Sequence, residues 1–176
     1  MNASIFAGIM NVLFKRFEPD NVIRLIYKKK VSIFAGVPTM FWGLLNELKS
    51  FDKEKISLLK RHWRIALSGG AAMPVELLND FEKIYEIPIF EGYGMSEASP
   101  LVTYNSPGYK RKIGSVGLPL WGVNVRVVDD QLIEVPNYEV GQIIFRGHNV
   151  MQGYFNDKEA TKKSTKNSGM KRVELS

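Results

Sequence analysis

The chain has no cysteine among its 176 residues. That excludes a disulfide framework and any zinc–thiolate site, and it suits a reducing, cytoplasmic setting. Histidine is scarce. His62 and His148 stand alone, with no second imidazole or carboxylate at ligand spacing, so neither is expected to hold a metal or to act in catalysis. No apolar run is long enough to span a bilayer. The opening stretch from Met1 to Phe14 is apolar, yet it lacks a basic leader and a clear cleavage site. It reads as a buried helix running into a strand over Val12 to Phe17. Internal repeats and low-complexity tracts are absent as well.

What is present is ordinary globular material, 45% hydrophobic and 24% charged, enough for one domain or one and a part. The net charge of +6 raises the question of nucleic acid. The basic residues are scattered, however. Lys28, Lys29 and Lys30 close a predicted helix, where cations suit the dipole. Lys110, Arg111 and Lys112 fall in a predicted loop, and Lys158, Lys162, Lys163, Lys166, Lys171 and Arg172 lie near the end. This reads as solvated surface, and no nucleic-acid partner is expected. A nucleic-acid-binding domain would rest on charge alone.

Helix and strand signals alternate over residues 1–106. Pro19 opens a helix with Val22, Ile23, Leu25 and Ile26 at helical spacing. Val31 to Ala35 is a β-branched and aromatic run ending at Gly36, suited to a buried parallel strand. Val37-Pro38-Thr39 turns into a helix carrying Met40, Phe41, Leu44, Leu45 and Leu48. Arg64 to Leu67 is a strand closed by Ser68-Gly69-Gly70, and Pro74 begins a helix with Leu77, Leu78, Phe81 and Ile84. Ile87 to Phe90 is a strand leading into a loop. This predicts an α/β layer with a mostly parallel sheet and flanking helices. Over 107–161 the pattern changes. Gly122 to Val128 alternates, Asp129-Asp130 turns, and Gln142 to Phe145 is another short strand, which predicts part of a small antiparallel β-barrel subdomain. The stretch 162–176 is poor in apolar residues and is expected to be loose or non-native.

Ligands of open α/β sheets bind beyond the carboxyl ends of the strands. Three predicted loops share that edge: Gly36 to Thr39, Ser68 to Ala72, and Glu91-Gly92-Tyr93-Gly94-Met95-Ser96-Glu97. In the third, Gly92 and Gly94 allow close backbone approach. Tyr93 offers a flat face for a nucleobase, Ser96 a hydroxyl for a phosphate, and Glu97 a hard oxygen for Mg²⁺. The bland alternative is a glycine turn between a strand and the next element. Phe34, Met40, Phe41, Trp42 and Met95 suit core packing better than a pocket lining.

Leu67 to Pro74, Glu91 to Pro100 and Gly141 to Gly147 with Val150 to Tyr154 together resemble, in order and spacing, the core motifs of the adenylate-forming, AMP-binding superfamily. The likeness is closest to long-chain fatty acyl-CoA synthetases and runs from about Met1 to about Thr161. It implies that residues 1–106 are the α/β part of an AMP-binding N-terminal domain. It implies that Gly69, Gly70, Ala71 and Tyr93 form an adenine slot, with backbone at Glu91 and Gly92 contributing. Ser96 matches a threonine that touches the α-phosphate and Glu97 the Mg²⁺-binding glutamate, so these two are the expected catalytic residues. Val37, Pro38, Gly94 and Met95 are the expected acyl pocket. Gly141 to Tyr154 matches a motif read as scaffold, with Gln142 in place of the usual acidic residue.

The resemblance further implies ATP, Mg²⁺ and coenzyme A as cofactor and co-substrates, and a fatty acid as the acyl donor. The chain looks like the central fragment of such an enzyme, because a phosphate loop expected before Met1 and a lysine-bearing domain expected after Thr161 have no counterpart in it. It is therefore expected to be inactive alone. Peripheral membrane contact and self-association are compatible with this reading. Two other readings stay open: a non-catalytic truncated gene product or binding module, and another adenylating enzyme such as an aryl-CoA ligase or a peptide-synthetase adenylation domain.

Overall fold

A computed structural model describes residues 2–166 and 170–172. The elements run α1 (Asn2–Phe6), α2 (Pro19–Lys29), β1 (Ile33–Gly36), α3 (Pro38–Leu48), α4 (Lys53–Lys60), β2 (Ile65–Ser68), α5 (Val75–Tyr85) and β3 (Ile89–Gly94). A 3₁₀ turn at Ser96–Ala98 leads to β4 (Leu101–Tyr104), β5 (Leu118–Pro119), β6 (Asn124–Val128) and β7 (Gln142–Arg146). α6 (Lys158–Ser164), β8 (Thr165–Lys166) and β9 (Met170–Arg172) follow. β1 to β5 form one sheet in chain order, and β6, β7, β9 and β8 form a second. The first sheet is parallel from β1 to β3 and antiparallel from β3 to β5. The second is antiparallel throughout and closes no barrel among the described residues.

Helix starts follow local chemistry. Pro19 and Pro38 occupy the first turns of α2 and α3, where a missing N–H costs nothing. Asp52 caps α4 by accepting from the Lys55 N–H at 2.8 Å. Lys30 and Glu86 end α2 and α5 in left-handed conformation.

Phe34, Ala66 and Ile89 are register partners across β1, β2 and β3, and all three are buried, so one row of the sheet meets the helices. Against it pack Val22, Ile23 and Ile26 of α2, Phe41, Leu44 and Leu45 of α3, and Leu77, Leu78 and Phe81 of α5. Aromatic rings interlock edge-on at its centre. Phe81 lies 5.4 Å from Phe41, 5.7 Å from Trp63 and 4.9 Å from Tyr85, centroid to centroid. A smaller core of Ala98, Val102, Val123 and Phe145 joins the two sheets.

Several expectations are corrected. Val12 to Phe17 forms no strand, and the opening helix is five residues long with Phe6 96% exposed. So short a helix cannot bury itself, and no described element covers it. β1 is an edge strand whose Ile33 and Ala35 are exposed, because the helices cover only one face of it. Glu91 to Gly94 are not loop: they continue β3, because Glu91 pairs with Ser68 and Leu101–Tyr104 returns antiparallel against Gly92 to Gly94. β5 lies beyond the boundary expected at residue 106 and belongs to the first sheet. Helix α6 continues past Thr161 to Ser164, stabilised by its Asp157 cap, so the expected looseness does not hold there. For 167–169 and 173–176 that expectation lies outside the described residues.

Burial decides the stability here. The Lys60–Glu86 ion pair, at 2.6 Å, has its carboxylate mostly in solvent and is worth about 0–1 kcal/mol. Phe81→Ala removes a fully buried ring with three aromatic neighbours and is expected to cost about 3–5 kcal/mol. Urea unfolding should show the midpoint falling with an unchanged slope.

Candidate functional site

The carboxyl ends of β1, β2 and β3 bring the three predicted segments side by side. Gly36 pairs with Ser68, and Ser68 with Glu91, in adjacent register. The Gly69 N–H donates to the Gly36 carbonyl at 3.3 Å. A methyl placed on Gly69 would meet the Gly92 carbonyl oxygen at 3.4 Å, and one on Gly70 would meet Val37 Cγ1 at 3.5 Å. Gly70 has φ +81, a conformation that favours glycine. Val37, Gly69, Gly70, Glu91 and Gly92 therefore share one edge. Ala71 is exposed beside them, and Pro38 is buried at the start of α3.

Glu91 is buried on β3. Burial pushes its carboxyl up, against the opposing pull of the Met73 backbone and of the Arg111 charge. The Ser68 and Tyr93 hydroxyls are buried with no hydrogen-bond partner among the described residues. Tyr93 and Met95 are half-buried and pack against the core that joins the sheets. Gly94 passes so close to Pro100 that any Cβ would collide with its carbonyl oxygen, and the β3–β4 register shifts there.

Beyond the bulge, Ser96 is exposed and Glu97 is half-buried in the 3₁₀ turn. The Tyr154 hydroxyl donates to Glu97 Oε1 at 2.7 Å, and this bond holds the carboxyl below its ordinary range. Glu97 is thus ionised at neutral pH, with a second oxygen that Tyr154 does not take. No group of three or more potential metal ligands occurs among the described residues. One ionised carboxylate without a protein cage fits Mg²⁺ carried on a phosphate chain, which keeps waters and takes one or two carboxylates.

Two side chains escaped the sequence reading. Arg111, grouped there with solvated lysines, donates both guanidinium branches to Glu82 and one also to the Ile89 carbonyl. Its side chain is 18% exposed. It anchors the segment before β5 to α5 and β3. Tyr154 was read as scaffold, yet it touches the candidate metal ligand. Its aromatic ring following Gly153 was visible, but its partner lies 57 positions away. A shallow depression of about 520 Å³, lined by Gln152, Tyr154, Phe155 and Lys158 among others, lies beside Tyr154 rather than at the glycine loops.

Glycine-bearing turns gathered at the carboxyl ends of parallel strands, with a hydroxyl and an ionised carboxylate one turn further on, define an α/β protein with the kind of edge at which ligands of open α/β sheets bind. The profile of the AMP-binding enzyme family matches residues 1–155, and the chain belongs to that family. It is 38% identical over 164 residues to a long-chain-fatty-acid–CoA ligase of Bacillus subtilis, covering 92% of this chain and 28% of that protein. It is 32% identical over 173 residues to the 2-succinylbenzoate–CoA ligase of the same organism, covering 98% of this chain and 34% of the relative. The ATP-bound crystal structure of MatB from Rhodopseudomonas palustris superposes with a TM-score of 0.86 at 28% identity, over 98% of this chain and 33% of that one. The o-succinylbenzoate coenzyme A synthetase of Bacillus subtilis, in complex with ATP and magnesium ion, gives 0.79 at 30% identity, over 97% and 34% of the two chains. The chain thus spans about a third of the length of these relatives.

Glu91 yields a signed prediction. Its carboxyl titrates above the value of 4.5 it has when unfolded, so the native state binds the proton more tightly and stability falls as pH rises through that range. Glu91→Gln is therefore expected to be more stable than the parent near pH 7, and to lose that advantage as the pH falls below the carboxylate range. Thermal melts of both proteins at pH 7 and pH 4 check this.

Proposed function

We propose that this chain is the adenine- and Mg²⁺-facing stretch of an ATP-dependent acyl-CoA synthetase, which joins a carboxylic acid to AMP and passes the acyl group to coenzyme A. The observation that carries the reading is the convergence of Gly36–Val37, Gly69–Gly70 and Glu91–Gly92 at one edge, with the ionised Glu97 beyond the bulge. In this reading Gly69, Gly70 and Ala71 line one side of the adenine and Tyr93 the other, with Glu91 and Gly92 contributing backbone. The Ser96 hydroxyl donates to an oxygen of the α-phosphate. Glu97 would hold Mg²⁺, which when bound offsets charge on the phosphates as pyrophosphate leaves. Val37, Pro38, Gly94 and Met95 border the acyl group.

A fatty acid is the proposed acyl substrate, on the strength of the 38% identity to the long-chain-fatty-acid–CoA ligase. Relatives acting by name on 2-succinylbenzoate and ferulate stand at 32%, so an aryl acid is the competing substrate class. A cytoplasmic setting suits the cysteine-free composition. Among the described residues no helix is long and apolar enough to cross a membrane. The exposed Ile5, Phe6, Met10 and Leu13 favour self-association or peripheral membrane contact.

The test is calorimetric titration with a non-hydrolysable acyl-adenylate mimic, beside Tyr93→Ala and Ser96→Ala. Binding by the parent chain is expected, abolished in the first variant and weakened about tenfold or more in the second, whose side chain is exposed. No binding by a chain that melts cooperatively would sink the reading and favour a non-catalytic product. With one carboxylate and one hydroxyl available to the phosphates, this stretch alone is expected to form no CoA ester. Turnover measured by thiol consumption would contradict that.

A further inference from the structure

Six residues, Asn149 to Tyr154, make three separate attachments to the segment 97–101. The Asn149 amide donates to the Leu101 carbonyl at 2.7 Å. The Met151 N–H donates to the Glu97 carbonyl at 2.8 Å. The Tyr154 hydroxyl donates to Glu97 Oε1 at 2.7 Å. Glu97 is therefore gripped twice by one strap, at its backbone and at its carboxylate. The strap enters from β7 of the second sheet. Its far end is tied to α6, where the Tyr154 N–H donates to Thr161 Oγ1 at 3.0 Å and Thr161 Oγ1 donates to the Asp157 carbonyl at 2.7 Å. A tyrosine merely filling space would need none of this. Its ring is 40% exposed and lies outside both buried cores.

We infer that Tyr154 is a positioning residue for Glu97, holding the carboxylate in one rotamer so that its other oxygen is presented to a nucleotide-bound divalent cation. The inference rests on the nucleotide reading proposed above. A free glutamate populates several rotamers, and only some of them aim an oxygen at a fixed point. Tyr154 selects among them before any cation arrives. Because the hydroxyl takes one oxygen, the cation meets Glu97 through the other. The second sheet and α6 thereby act on the metal-facing group without touching the nucleotide.

The test uses the full chain, Tyr154→Phe and Thr161→Val. The first removes only the hydroxyl, and the second loosens the backbone that carries it. Side-chain coupling constants of Glu97, measured by NMR without metal, are expected to report one rotamer in the parent chain, averaging in Tyr154→Phe and partial averaging in Thr161→Val. Mn²⁺ with ATP, followed by electron paramagnetic resonance, is expected to bind about fivefold or more weakly to Tyr154→Phe at an unchanged melting temperature. Identical couplings in the parent chain and Tyr154→Phe would overturn the proposal. So would loosened couplings with unchanged or tighter Mn²⁺ binding. Ordered couplings in a parent chain that binds no Mn²⁺ with ATP would overturn the nucleotide reading and the metal-facing role, while leaving the rotamer control itself demonstrated.

Discussion

β3 is the strand on which the rest of the structure depends. Its first half pairs in parallel with β2 and its second half antiparallel with β4, so Ile89–Gly94 belongs to two kinds of sheet at once. The change of partner requires the backbones to pass closely. Gly94 meets Pro100 with no room for a Cβ, and on Gly92 a Cβ would press on Leu101 at 3.0 Å. Larger residues at either position would push β4 away. With β4 displaced, the 3₁₀ turn carrying Ser96 and Glu97 would lose its footing. The glycines read in the sequence as room for a ligand are thus first of all room for β4.

Charge inside the first sheet is arranged around the same strand. Arg111 bonds the Ile89 carbonyl and the Glu82 carboxylate, and Glu82 accepts the Ile89 N–H at 2.7 Å. One ion pair therefore satisfies both backbone groups at the start of β3. Such a partly buried, bidentate pair holds geometry more than it adds net stability, since desolvation offsets much of the attraction. Glu91, two residues on, bears the opposite relation to burial. Burial disfavours it as an anion, with the Arg111 charge pulling the other way.

Much of this was legible in the sequence, and the gaps have physical causes. Helices α2, α3 and α5 have apolar residues at helical spacing and prolines near their starts, both local signals. The alternation from Gly122 to Val128 and the short run Gln142 to Phe145 predicted antiparallel strands, and β6 and β7 are found there, paired with each other. What failed depended on partners far along the chain. Glu91 to Gly94 carries two glycines and reads as loop until Leu101–Tyr104 is found opposite it. Arg111 reads as surface because nothing nearby in sequence reveals Glu82. α4 was missed although Asp52 is a good cap, because Ile56 and Leu59 give it only a thin apolar stripe. The meeting of the 36–39, 68–72 and 91–92 segments at one edge was readable because it follows from strand order alone. The contact between Tyr154 and Glu97 was not, because it joins two sheets.

That contact bears on how the labour is divided. The first sheet places Gly69, Gly70, Gly92 and Ser96 through backbone geometry, which the core beneath it holds firmly. Glu97 is different: it sits in a three-residue turn past a bulge, and a glutamate side chain has several torsions to fix. Local backbone order cannot fix them. A donor from elsewhere must, and Tyr154 comes from a segment anchored at Leu101, at the Glu97 carbonyl and at Thr161. Any displacement of the second sheet against the first would thus reach Glu97 before it reached the glycine loops, making the carboxylate the part of the edge most sensitive to how the two sheets sit together.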